Sequence, residues 1–221
     1  MSNYTLANFV RDLNFLYNGN SSTPTFGDED YTVWTGLGNI AINVWYMEEG
    51  MLWREMFVKL ADAADGDKTA AAGDYSYAVP TNFSFPASSI VWIGSGTNKT
   101  PYKVIKQEDL QLYENNSENW CYFLMDTTPT LEFNPNCTVA AGTISYLYYK
   151  TYTELTVVGS TFEMSDPMFA IYYALNELKK DEGDATAGGI ASQKLEAMRT
   201  KNFMVSENQI DSLLDQADEG L

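Results

Sequence analysis

Two alternating aromatic runs, separated by proline corners in GDYSYAVPTNFSFPASSIVWIGS (residues 73–95), interrupt a chain whose flanks on both sides carry helical periods. This interruption limits the possible folds more than any other feature. Tyr75 to Val79 alternates as a half-buried strand does, and Pro80 ends the run because it brings no N–H to a ladder. Pro86 sets a second corner and Ser89 to Ile93 supplies the next strand. The segments YKVI, WCYFLM, LEF and TISYLYYK continue the β pattern, and QEDLQLYEN reads as one short helix among them.

The flanks obey a different period. Leu6, Phe9, Val10, Leu13 and Leu16 predict a helix over residues 3–17, and the broken stretch NGNSSTPTFG follows it. Over residues 31–49, Val33, Leu37, Ile40, Ala41, Val44 and Trp45 make an apolar stripe wide enough for one flank to face a core and the other a neighbour. Asp28, Glu29 and Asp30 precede it, where anions suit the positive end of the helix dipole, and Gly50 is the expected break. WREMFVKLADA then reads as a strand, with a continued helix as the alternative. SDPMFAIYYALNELKKDEG has a Ser or Asp cap, Pro167 preset for the first turn, lysines 179 and 180 at the negative end and Gly183 as a stop. Residues 190–203 carry Ile190, Leu195, Met198 and Phe203 on a second helix. The expected fold class is therefore α+β: a helical bundle of N-terminal helices plus a C-terminal αα-hairpin, with an inserted antiparallel β block. The corresponding divisions are a bundle domain of residues 1–54 and 160–205, a β-rich domain of 55–155 and a docking tail of 206–221.

Charge and side-chain chemistry narrow the function. The 221 residues hold 13 Lys+Arg against 30 Asp+Glu, a net charge of -17, which repels nucleic-acid phosphates and anionic membrane surfaces. No histidine is present, which removes the commonest general base and transition-metal ligand. Cys121 and Cys137 form no CxxC pair and are expected as free thiols in a reducing compartment. No run approaches the ~18 apolar residues of a membrane span, and the first residues lack the basic start of a secretory signal. The N-x-[ST] triplets at Asn3, Asn82 and Asn98 are attributed to composition. Fifteen tyrosines suit either antiparallel strands or a surface that meets another protein.

Each motif with a chemical reading has a simpler structural one. GSGTNKT (residues 94–100) lacks the glycine before its lysine and precedes Pro101 and a strand, so it reads as a hairpin loop and not a phosphate cradle. Glu48 and Glu49 are sequence neighbours that point to different faces of a helix, unlike a glycosidase pair. Asp28, Glu29 and Asp30 have no visible source of further metal ligands. No catalytic, cofactor-binding or metal-binding residue is nominated, and the chain reads as a non-enzyme. The segment SENQIDSLLDQADEGL places Ile210, Leu213 and Leu214 on one narrow apolar edge, which either frays or docks on a partner.

The order of elements resembles the tailed-bacteriophage head-to-tail adaptor, or connector, proteins. In that family a G-x-x-x-Y-x-L-P-x-D-F run leads into a strand, and a late Y-Y-A-L helix precedes a hairpin. The matching positions are Gly73, Tyr77, Val79, Pro80, Asn82 and Phe83, then Tyr172, Tyr173, Ala174 and Leu175, with Asn82 standing where an acidic residue is common. The resemblance covers roughly residues 30–203. It implies a structural virion protein in the neck between capsid and tail, assembled in the host cytoplasm. The implied partners are the portal protein, tail or neck proteins and a homo-oligomeric ring of about twelve copies. Such a ring gathers roughly 200 negative charges, so double-stranded DNA passes without tight binding. Ring contacts are expected on the second stripe of the 31–49 helix and on aromatics of the β block, Trp92 and Trp120; Phe203, Ile210, Leu213 and Leu214 are the expected partner-binding edge of the final helices. The rival reading is a β-rich virion decoration or glycan-binding module, with Trp92 and Trp120 stacking on sugars.

Overall fold

The computed structural model describes residues 4–19, 23–183 and 185–218, with side chains through Asn202. Its elements begin with α1 (Leu6–Asn18), α2 (Glu29–Tyr46), β1 (Phe57–Lys59), β2 (Thr69–Ala70), β3 (Ser76–Ala78), β4 (Phe83–Pro86), β5 (Ile90–Ser95) and β6 (Asn98–Val104). They continue with α3 (Leu110–Tyr113), β7 (Trp120–Leu124), β8 (Thr130–Phe133), β9 (Gly142–Ser145), β10 (Leu147–Lys150), α4 (Met168–Leu178) and α5 (Thr186–Asp218). The chain divides into two compact units, one of Met1–Glu55 and Tyr152–Val205, the other of Met56–Thr151 and Ser206–Leu221.

In the β unit, seven strands run in the order β2-β9-β5-β6-β7-β8-β3. β6 and β7 pair in parallel, whereas the other neighbours in this sheet pair antiparallel. The parallel pair follows from the connection between Val104 and Trp120, which contains α3 and carries the chain back before the next strand starts. The two outer strands are linked across the gap: the Asp67 N–H, two residues before β2, donates to the carbonyl of Ala78 at the end of β3 (2.8 Å). The Ala78 N–H donates to the Asp67 carboxylate in return (2.7 Å). The sheet is thereby nearly closed into a barrel, and Val91, Ile93, Tyr102, Phe123, Leu131 and Ile144 are buried in one core cluster. A second sheet, β1-β10-β4, is held by rings: Tyr149 meets Phe57 edge-on at 5.1 Å and stacks on Phe85 at 4.9 Å.

These observations correct the expected architecture. The mixed α+β class fits, but a helical bundle carrying an inserted antiparallel β block does not. The strands make a mixed, nearly closed sheet that is an architecture in its own right. Alternation along the chain marks strands but carries no information on which strands pair or in which direction, because pairing is non-local. The sequence segment GSGTNKT forms the β5–β6 turn, with Gly96 at φ 59° in the first central position.

In the other unit α1, α2 and α4 pack together. Leu6, Phe9, Val10 and Leu13 are the buried face of α1, capped by the Thr5 hydroxyl, which accepts from the Asn8 N–H at 3.3 Å. α4 buries Phe169, Ala170, Ile171, Ala174 and Leu175, and the Asp166 carboxylate accepts from the Met168 N–H at 3.1 Å in its first turn. After Gly183, at φ 73°, α5 runs unbroken to Asp218, and residues 190–218 contain neither glycine nor proline to break it. Its first half is fastened by Ala187, Ala191 and Met198, by the Lys194–Asp166 ion pair at 3.1 Å and by the Arg199–Glu48 pair at 3.4 Å.

Gly142 and Gly94 meet where β9 crosses β5. A Cβ on Gly142 would sit 2.7 Å from the Cα of Gly94, and the residue holds φ +143°. Gly142→Ala is expected to cost about 2–4 kcal/mol in urea unfolding, since neither backbone can retreat. Gly36→Ala, in mid-α2 with nothing within 4 Å, is expected to stabilise by up to about 1 kcal/mol in the same measurement.

Candidate docking surface

From Tyr31 to Met47 the chain passes 17 residues without an Asp, Glu, Lys or Arg, although its net charge is -17. Those residues are almost the whole of α2. The helix starts at Asp28, whose carboxylate accepts from the Thr25 N–H at 2.8 Å, and Glu29 and Asp30 lie in its first turn. It ends before Gly50, whose φ of 72° turns the chain away.

The helix has two apolar faces. Inward are Tyr31, Trp34, Gly38, Ala41, Ile42 and Trp45. Gly38 sits in close packing: a Cβ there would lie 3.1 Å from the Leu155 side chain and 3.2 Å from the Phe9 ring, so these neighbours would have to give. Asn39 clamps the passing segment, accepting from the Leu155 N–H at 2.7 Å and donating to its carbonyl at 3.2 Å. Trp45 stacks on Trp53 at 5.2 Å, and the Trp53 indole donates to the Trp45 carbonyl at 2.6 Å.

Outward are Val33, Leu37, Ile40, Val44 and Met47, spaced four, three, four and three residues apart, which is the seam of a coiled coil. Val33, Ile40 and Met47 are 50%, 49% and 68% exposed, with Leu37 and Val44 half-buried between them. A continuous exposed apolar stripe of this kind marks an interaction surface.

A second apolar feature lies on the same unit. A cleft of about 360 Å³ is lined by Arg11, Asp12, Phe15 and Leu16 of α1, by Met168 and Tyr172 of α4, and by Thr23. Phe15 is 61% exposed. The rim is polar and fixed: Arg11 pairs with Asp12 at 2.8 Å, and the Tyr4 hydroxyl donates to Asp12 at 2.8 Å. Burial, with the Asp12 contact second, pushes the Tyr4 phenol well above its usual range, so it stays a donor.

The tryptophans expected to face partners are placed differently from each other. Trp120 is 2% exposed, its indole donating to Asn116 at 3.0 Å and its ring edge-on to Tyr113. Trp92 is half-buried on β5, opposite Pro101 and Ser145, and its indole N–H is buried without a protein acceptor. The side chains of Phe203, Ile210, Leu213 and Leu214 lie outside the described residues, on the backbone of α5. The cleft was not visible in the sequence as a site, because it needs α1 and α4 side by side. Its one local signal is Phe15, which falls off the buried Leu6, Phe9, Val10 and Leu13 face. Burial raises the thiol pKa of Cys121 and, less, of Cys137, so neither is a ready thiolate nucleophile. Among the described residues no group of three or more His, Cys, Asp or Glu side chains is placed to hold a metal ion, and no helix is long and apolar enough to cross a membrane.

A family model described as SU10 adaptor protein matches residues 4–217, nearly the whole chain. No curated protein matches the chain.

Two isoleucines on α2 distinguish its faces. Ile40→Ser is expected to leave the urea-unfolding free energy of the isolated chain within about 0.5 kcal/mol of wild type. Ile42→Ser, at a site 2% exposed, is expected to cost about 3–5 kcal/mol by leaving a cavity and a buried hydroxyl.

Proposed function

The chain belongs to the SU10 adaptor protein family, and from that premise we propose that it forms a homo-oligomeric ring between the portal and the tail of a bacteriophage particle. Adaptors of this family are structural phage proteins, and the role asks for no bond of a substrate to be made or broken. The observation that carries the ring reading is the uncharged seam of α2. Copies that each bear a charge of -17 repel one another overall, so a chargeless face is where they can approach at least electrostatic cost, and Val33 to Met47 is such a face on α2.

The same charge suits a conduit. A ring of about twelve copies holds an acidic inner surface that repels the phosphate backbone, so DNA moves through it without adhering. Residues 206–221 carry five acidic residues and no basic one around Ile210, Leu213 and Leu214, which suits an amphipathic edge that docks on the portal or a neighbouring protein. A glycan-binding module is served less well, because the Trp120 ring is 2% exposed and a sugar platform needs an open face.

Electron microscopy of purified particles carrying a gold label at Leu221 tests the placement. Label at the neck is the expected result, and label over the capsid shell, or none on the particle, contradicts it. Deletion of residues 206–221 is expected to lower co-sedimentation with portal-bearing capsids by roughly tenfold, a loss of about 1.4 kcal/mol. Unchanged docking by the shortened chain removes the tail from the contact.

A further inference from the structure

The α2 seam and the α1–α4 cleft have the properties of two halves of one contact. Both are apolar, both lie on the same compact unit, and they are built from different helices. One is a ridge and the other a hollow. A surface patch that fits a hollow elsewhere on the same molecule makes a head-to-tail contact, and head-to-tail contacts generate rings when the rotation closes.

We propose that the α2 seam of one copy seats in the α1–α4 cleft of the next copy, with Ile40 and its neighbours against Phe15, Leu16, Met168 and Tyr172. The inference rests on the ring-forming reading above and names the surfaces that such a ring would use. Charge selects a second copy as the occupant. The seam is bracketed by exposed Asp28, Glu29 and Asp30 at one end, and the cleft carries the Arg11 side chain, 59% exposed, on its rim. Arg11 spends one nitrogen pair on Asp12, and a guanidinium has five N–H donors, so it retains donors for a second carboxylate. On a chain with 30 acidic and 13 basic residues, a basic group beside an exposed apolar hollow is uncommon, and the chain's own acidic-ended ridge matches it. The pairing buries the chargeless ridge as the dry centre and leaves the ion pairs at the wet rim, which is the usual anatomy of a protein interface.

Cysteine pairing tests the contact. Chains bearing Phe15→Cys and chains bearing Ile40→Cys are purified separately, mixed at high concentration and oxidised, with the wild-type chain as the control for Cys121 and Cys137. A disulfide-linked dimer in the mixture, absent from either variant alone and from wild type, is the expected result. Linkage of the Ile40→Cys chain to itself overturns the proposal in favour of seam against seam, and absence of linkage in the mixture overturns it outright. A charge exchange gives a second reading by analytical ultracentrifugation. Arg11→Glu is expected to weaken self-association at least tenfold, and Glu29→Lys with Asp30→Lys in the same chain is expected to restore it. Failure of that rescue counts against the rim pairing. The particle labelling is independent of both measurements: a chain found at the neck whose mixture does not link keeps the adaptor role and loses this contact, whereas a linking chain absent from the neck keeps the contact and loses the role.

Discussion

Like-charge repulsion is the constraint around which this protein is arranged. At physiological salt the screening length is about 8 Å, so charges on the facing surfaces of two copies still interact when those surfaces touch. A net charge of -17 therefore disfavours close contact over acidic surface and favours chargeless faces for any meeting of copies. Tyr31 to Met47 supplies such a face without exposing the protein to collapse, because Trp34, Ile42 and Trp45 anchor the other side of the same helix. One helix thus packs the interior on one side and, in the proposed ring, offers its other apolar side to a second copy.

Much of this was legible in the amino-acid order. The stripe of α2 was visible as too broad for one core, and the structure divides it into an inward set at Trp34, Ala41 and Trp45 and an outward set at Val33, Ile40 and Met47. The cap at Asp166, the turn at Gly183 and the break near Gly50 were equally readable, because each follows from the local backbone chemistry of single residues. What was not legible depends on contacts between distant residues. The parallel pairing of Lys103 with Trp120, the Asp67–Ala78 link and the closure of the sheet have no local signature. Trp120 shows the same limit: as a large aromatic in a strand it reads as a surface anchor, yet Asn116 and Tyr113 cover it from the α3 connection.

The near-closure of the sheet has a consequence for the assembly. A seven-stranded sheet with two open edges presents unpaired N–H and C=O groups to any other copy, which is a route to uncontrolled aggregation. Here the edge strands β2 and β3 are short, of two and three residues, and Asp67 ties their ends. In the proposed ring, association of copies would then rest on side chains of α2 and the cleft, where geometry and charge select the register, and not on backbone pairing at the sheet edges.

The ionisable groups keep this arrangement constant. With no histidine in the chain, no side chain has an ordinary pKa between about pH 5 and 8. The groups that would titrate next are held neutral by burial: the Cys121 thiol and the Tyr4 and Tyr146 phenols are all pushed above their usual ranges. A buried group whose pKa is raised in this way stabilises the fold fully below its unfolded value, about 8.5 for a thiol and about 10 for a phenol, and the contribution is lost only as pH climbs beyond that. With no histidine to titrate, like-charge repulsion between copies is not switched by mild changes of pH around neutrality. In the proposed role beside a passing polyanion, a charge that is not switched near neutral pH is an advantage, and the histidines absent from this chain matter to that property as much as the carboxylates present.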